Sequence, residues 1–239
     1  MDLNLVKDDV RYRCDRRKAL VILAENILDK VVQRYDCCSF WTVSLSGLSP
    51  REKRFLGDFL PGAKTAVVVG HHVVTKEEWT WHATANGGEH CAADDHTRDV
   101  CLKLREALIT QGFSAELVPY PGESGLQFRF VAQSAGAGKI GKNAFLLHPQ
   151  WGPWIHLRVL ATRAPTRVKS IRVASVCNDC GVCVSACPAG AIQDKAFNGL
   201  RCRRYRKAKG EYTPVGYMQE LRWCIICADV CPIGPKPVE

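Results

Sequence analysis

Long apolar runs are missing from this 239-residue chain, and no stretch approaches the ~20 residues a helix needs to cross a bilayer. A helical membrane span is therefore not expected. A secretion signal is not expected either. Arg16-Arg17 precedes the apolar residues 19–24 in the manner of a twin-arginine leader. Glu25, Asp29 and Lys30 interrupt it, and no small-residue cleavage site follows, so the stretch reads as an amphipathic helix. No Walker A sequence occurs, which removes one common phosphate cradle. Low-complexity tracts are lacking too.

Cysteine, by contrast, is abundant: thirteen residues. Without a secretion signal, a disulfide scaffold is not expected, and thiolates kept for metal call for a reducing compartment such as the cytoplasm. Eight of the thirteen form two groups. The first is Cys177-x2-Cys180-x2-Cys183-x3-Cys187-Pro188, the ligand pattern of bacterial ferredoxins, whose fourth cysteine serves the other cluster when there are two. The second is Cys202 followed by Cys224-x2-Cys227-x3-Cys231-Pro232. Eight thiolates suffice for two [4Fe–4S] cubanes. The spacing rule assigns Cys177, Cys180, Cys183 and Cys231 to one and Cys187, Cys202, Cys224 and Cys227 to the other. Structural zinc is the alternative, but zinc sites favour two separated C-x2-C pairs, and a four-cysteine run ending in C-P fits that poorly. Cys14, Cys37, Cys38, Cys91 and Cys101 remain, and such cysteines most often behave as small buried hydrophobes. The formal charge of +9 counts thiols as neutral. Two [4Fe–4S]²⁺ clusters would lower it to about +5, still suited to acidic partners.

Taken in order, residues 16–35 carry apolar side chains at three- and four-residue steps and predict a helix. Residues 41–45 alternate as a strand. Ser49-Pro50-Arg51-Glu52 predicts a capped helix start, and Pro61-Gly62 its end. The continuous apolar run 65–70 predicts a buried central strand, with His71 and His72 at its C-terminal end, an edge where α/β sheets bind ligands. Residues 75–95 read as a long loop or lid carrying Trp79 and Trp81. Asp94-Asp95 would cap a helix from about residue 96 to 111. A strand over 115–118, a helix over 128–134 and strands over 144–147 and 155–161 follow. Between the last helix and these strands lies the glycine-rich Ala135-Gly136-Ala137-Gly138-Lys139-Ile140-Gly141-Lys142-Asn143. A Pro- and Arg-containing linker at 164–169 separates an α+β (α/β) domain, residues 1–168, from a ferredoxin-like double [4Fe–4S] module, residues 169–239.

Several stretches resemble the epoxyqueuosine reductases and, more distantly, the iron–sulfur halves of reductive dehalogenases. Residues 62–69 look like that family's first central strand. Asp94-Asp95-His96 is similar to its D-Y-H, with Asp95 in place of Tyr. Residues 135–143 are similar to its A-G-L-G-W-I-G-K-N signature, and Cys202 with residues 223–232 to its second cysteine group. The resemblance implies a nitroreductase-like domain that binds base-off cobalamin beside one cluster. Gly136, Gly138, Lys139, Gly141, Lys142 and Asn143 would lie against the corrin, with His71 and His96 lining the cavity. Reduced flavodoxin or ferredoxin would be the electron donor, and the substrate a small or nucleoside-type molecule. FMN is the alternative cofactor, since nitroreductase-like folds commonly hold it. A protein that reduces a partner's corrinoid is the alternative function. No D-x-H-x-x-G is present, so the histidine-ligated corrinoid module is not expected. Two departures stand out. Tyr120-Pro121-Gly122-Glu123-Ser124-Gly125 stands where the family carries an aspartate proton donor, which makes Glu123 and Tyr120 the catalytic candidates. The family's C-terminal helical repeats do not follow Cys231. Both weigh against a tRNA substrate, although the basic run Arg201, Arg203, Arg204, Arg206, Lys207 and Lys209 could touch phosphates or an acidic protein donor.

Overall fold

The computed structural model describes residues 3–83, 89–167, 173–178, 180–194, 196–209, 220–221 and 224–239, with side chains of 3–17, 83, 89, 122–123 and 220–221 left aside. Helix α1 (Leu3–Val32) leads into β1 (Cys38–Ser44), α2 (Pro50–Phe59) and β2 (Thr65–His72). Short strands β3 (Trp81–Ala83) and β4 (Glu89–His90) precede α3 (Ala92–Thr110) and β5 (Ala115–Leu117). Then come α4 (Pro121–Ser124), α5 (Phe128–Ala135), a two-residue hairpin of β6 (Lys139–Ile140) and β7 (Leu146–Leu147), and β8 (Ile155–Thr162). The cysteine-rich segment adds α6 (Val182–Ala186), α7 (Gly199–Ala208), β9 (Glu220–Leu221) and α8 (Ile226–Asp229).

The central sheet runs β1-β2-β8-β5, and each of its three pairings is antiparallel. The chain is thus a mixed αβ protein whose helices cover an antiparallel sheet. Strand alternation sends neighbouring residues to opposite faces. Val67 and Val69 of β2, with Leu160 of β8, pack beneath α1 and α3, where Ala24, Leu28, Val32, Val100, Leu104 and Leu108 are buried. Ala66, Val68 and Val159 pack on the other face against Val131, Ala132 and Ala135 of α5 and Leu56 of α2. The apolar run at 65–70 is continuous because β2 is covered on both sides.

Local signals were reliable where they were self-contained. Ser49 accepts from the Glu52 amide at 3.4 Å while Glu52 accepts from the Ser49 amide at 3.2 Å, the capping box expected at the start of α2. Elsewhere the boundaries differ. Helix α1 begins at Leu3, well before residue 16. Helix α3 starts at Ala92 behind Cys91, so Asp94 and Asp95 lie in its first turn and are not its caps. Asp94 turns inward instead, drawn to Arg158 on β8. The expected lid at 75–95 contains β3 and β4, and β3 pairs with β9 of the cysteine-rich segment.

That segment is knitted to the rest of the chain. Val73, Cys91, Ala93, Trp154 and Ala228 form a small buried cluster with Trp79 packed on it. Near the end of the chain, Val238 donates to the Val74 carbonyl at 3.0 Å and accepts from the Lys76 amide at 2.9 Å. The expected boundary at 168/169 falls outside the described residues.

Candidate metal centre and glycine-rich loop

Helix α6 carries Cys183 and α8 carries Cys227, and the two short helices pack against each other. Around them the eight cysteines separate into two neighbourhoods. Burial pushes the Cys183 thiol up, and the negative charges of Cys177, Cys180 and Cys231 raise it further. Burial likewise lifts Cys227 to about 12, followed by the charges of Cys224, Cys202, Cys187 and Cys183. Cys177, Cys180, Cys183 and Cys231 line one cavity. Four soft thiols converging on one space would repel one another as thiolates, and a cationic metal core removes that cost. The donor set fits a [4Fe–4S] cluster at each position. The Ala191 amide points at the Cys187 sulfur at 3.3 Å, the kind of contact that tunes a cluster's potential. The amide of Cys180 donates to the Asn178 side-chain oxygen at 3.2 Å.

The glycine-rich loop borders both neighbourhoods. Lys142, Asn143 and Leu147 line the cavity with the first four cysteines. Asn143, only 4% exposed, donates from Nδ2 to the Cys227 carbonyl at 3.1 Å and accepts the Phe145 amide at 3.2 Å. Lys142 ion-pairs with Asp194. The three glycines have local causes. Gly136 closes α5 in the left-handed region at φ 85°. A β-carbon on Gly138 would overlap the Leu147 carbonyl, and one on Gly141 would come within 2.6 Å of the Leu147 side chain. They let β6 and β7 close tightly, so they are not by themselves a mark of a corrin.

His71 and His96 do not join this loop. His71 shares the sheet face of Val69 and packs toward α3, opposite α5 and the hairpin. Its ring centroid lies 4.8 Å from that of His96. His72, on the other face, stacks on Trp151 at 5.3 Å, and Trp151 stacks in turn on His148 at 4.3 Å. Burial, then the charge of His72, lowers the His148 imidazole to about 4.

Tyr120 sits at the end of the sheet formed by β5 and β8. Its ring stacks on His156 at 5.9 Å and lies 4.7 Å beneath the Arg158 guanidinium. Arg158 Nε and Nη2 donate to the two Asp94 oxygens at 2.7 and 2.6 Å, and His156 Nε2 meets the same carboxylate at 2.9 Å. Burial alone would raise the Asp94 carboxyl, but the hydrogen bonds from His156 and Arg158 outweigh it and hold it at about 2. Reading in one dimension missed His156 and Arg158, which sit inside an apolar-looking strand. Two buried polar residues in the period-2 pattern of residues 155–161 were the available signal. The Glu123 side chain lies outside those described.

Residues 176–234 match the 4Fe-4S double cluster binding domain family. In sequence, the chain is 31% identical over 112 residues to an epoxyqueuosine reductase of Staphylococcus aureus, covering 45% of this chain and 29% of that protein. The matched stretch therefore spans less than a third of that relative's length. In structure, it superposes on an epoxyqueuosine reductase from Bacillus subtilis with a TM-score of 0.65 at 19% identity, over 92% of this chain and 67% of that one. A catabolic reductive dehalogenase superposes with a TM-score of 0.51 at 21% identity, over 74% of this chain and 26% of the dehalogenase. The chain is similar to epoxyqueuosine reductases in sequence and shares their fold. The resemblance first read from the cysteine groups and the G-K-N loop is thereby borne out.

Proposed function

We propose that this chain is an iron–sulfur oxidoreductase that carries electrons through two [4Fe–4S] clusters to a bound cobalamin, in the manner of an epoxyqueuosine reductase. Cys177, Cys180, Cys183 and Cys231 would hold one cluster, and Cys187, Cys202, Cys224 and Cys227 the other. The observation that carries the reading is the position of the G-K-N loop. It lines the cavity of the first cysteine set and hydrogen-bonds the backbone of the second. A redox cofactor resting on this loop would be within electron-transfer reach of a cluster.

A corrinoid, when bound, supplies a strongly reducing metal centre to an organic substrate. The protein's part is placement. Asn143 and Lys142 would anchor the loop to the cysteine-rich segment, leaving Lys139 and the loop backbone to face the cofactor. Tyr120 would supply a proton from its Oη, its ring held by His156 and Arg158, with Glu123 next to it on α4. The substrate would be a small or nucleoside-type molecule, with tRNA as one source of such a nucleoside. Exposed Arg201, Arg203, Arg204 and Lys207 on α7 suit an acidic flavodoxin or ferredoxin as donor.

A second reading is favoured by the internal engagement of Asn143 and Lys142. The chain would then be an electron-transfer protein that reduces a partner's corrinoid. Anaerobic titration of the iron- and sulfide-reconstituted chain with cobalamin, and separately with FMN, decides among these. A shifted corrinoid spectrum supports the enzyme. FMN binding alone replaces the cofactor. Binding of neither by a chain with reducible clusters leaves the electron-transfer reading and sinks the first.

A further inference from the structure

On the sheet face away from the glycine-rich loop, three residues distant in sequence bring metal-binding atoms together. Antiparallel pairing of β1 with β2 sets Cys38 directly opposite His71. The Cys38 sulfur lies 3.8 Å from His71 Nδ1. His96, on the second turn of α3, brings its ring beside that of His71. One ligand atom from each of Cys38, His71 and His96 lies within 4.8 Å of the others. We propose that Cys38, His71 and His96 form a binding site for a zinc-class divalent cation, separate from the cluster cysteines.

Three observations support it independently of the cofactor reading. The first is distance. Tetrahedral zinc with Zn–S near 2.3 Å and Zn–N near 2.0–2.1 Å sets sulfur and nitrogen about 3.5 Å apart. The Cys38–His71 separation needs only a small contraction to reach that. The second is the carboxylate behind His71. Glu78 Oε2 meets His71 Nε2 at 3.3 Å and is itself held by the Val74 amide at 2.9 Å. That contact places the ring proton on Nε2 and turns the Nδ1 lone pair toward Cys38. A carboxylate on the far nitrogen is the usual way a metal-bound histidine is oriented. The third is His96. Its Nε2 is buried without a hydrogen-bond partner, which is unfavourable for a polar atom. Tyr35 packs edge-on against the ring at 5.7 Å and its hydroxyl donates to Asp99 at 3.0 Å, so the imidazole is confined.

The chemistry of the set selects the ion. One thiolate and two neutral imidazoles suit zinc and disfavour magnesium or calcium, which require oxygen ligands. Binding releases the Cys38 thiol proton to solvent and leaves one coordination position. Cys37, exposed and adjacent, or a water molecule would complete the tetrahedron. Glu78 is a positioning residue here.

The test uses the chain reconstituted with iron and sulfide, exposed to one equivalent of zinc and desalted. About one zinc per chain is expected above the cluster iron, and its X-ray absorption should show one or two sulfurs with nitrogen ligands. Cys38→Ser and His96→Ala should each weaken zinc binding at least tenfold with iron content unchanged. Glu78→Gln should weaken it about 10- to 100-fold. Cys101→Ser should leave it intact. No retained zinc in a chain with full clusters overturns the proposal. So does zinc in an all-sulfur environment, or binding that Cys38→Ser leaves unchanged. If a variant loses its fold, the absorption spectrum of the unmodified chain still decides.

Discussion

The Asn143 side chain donates to the backbone carbonyl of Cys227 across 3.1 Å, joining the glycine-rich loop to the cysteine-rich segment over 84 positions of sequence. Both partners are drawn from stretches that stood out in sequence for separate reasons. Their contact makes the loop and the cysteine-rich segment one structural unit.

Removing that contact should be felt at both ends. Asn143→Ala deletes the donor to Cys227 and the acceptor for the Phe145 amide, leaving two part-buried backbone groups without these partners. A loss of roughly 1–3 kcal/mol in stability is expected, with a shifted reduction potential for the cluster held by Cys227. Thermal unfolding and an EPR-monitored redox titration read the two effects. Unchanged potentials would show that the loop does not reach the cluster electronically.

The two cysteine neighbourhoods should titrate iron separately. The wild type is expected to hold about eight irons per chain. Cys202→Ser should lower this to about four while the other cluster keeps its EPR signature, and Cys180→Ser should do the converse. A full complement of iron in Cys202→Ser would break the assignment.

Glycine positions offer a contrast between close approach and open space. A β-carbon on Gly152, at φ 60°, would run into the Ile233 carbonyl beside Cys231. Gly152→Ala should therefore cost more than 2 kcal/mol and reduce iron retention. Gly57, on α2, has nothing near its missing side chain, and Gly57→Ala should stabilise by about 0.5–1 kcal/mol. Equal effects from both would contradict the packing of the β7–β8 turn on the cysteine-rich segment.

Asp94 and His148 contribute to the acid response. The folded Asp94 carboxyl, near 2, lies below the ~3.9 of an unfolded chain. Its stabilisation, on the order of 2 kcal/mol, is complete above pH ~4 and lost as pH falls from ~4 to 2. His148, near 4, lies below the ~6.5 of a free imidazole, so the unfolded chain takes up a proton first. Stability should already fall between pH 6.5 and 4, and His148→Gln should flatten that limb. Asp94→Asn removes the charge facing buried Arg158 and should cost ~3–5 kcal/mol at neutral pH. Melting temperatures of the two variants across pH 4.5–8 check both, and an unchanged slope in His148→Gln would remove the histidine from the acid limb.

Much of the architecture was legible because its causes are local. The capping box at Ser49 and Glu52 acts within four residues. The apolar run at 65–70 announces a strand covered on both faces. The end of α5 at Gly136 is a single-residue effect. Boundaries drifted where tertiary contacts compete with local preference, as at Asp94, which looks like a helix cap and is a buried ion-pair partner.

Sequence by itself determined the eight-cysteine inventory and its two groups, because the two- and three-residue spacings mark each run and the spacing rule sends the last cysteine of each run across to the other group. It also set apart the G-K-N loop, whose glycines the hairpin requires. Tertiary structure decided which face each histidine occupies. His71 and His72 are adjacent in sequence, yet strand alternation sends one to Cys38 and α3 and the other to Trp151 and the hairpin. Register between β1 and β2 then brings Cys38 to His71 across 33 positions, and no local pattern encodes that pairing. Side-chain chemistry is written in the sequence, but proximity between distant side chains exists only after the sheet has formed.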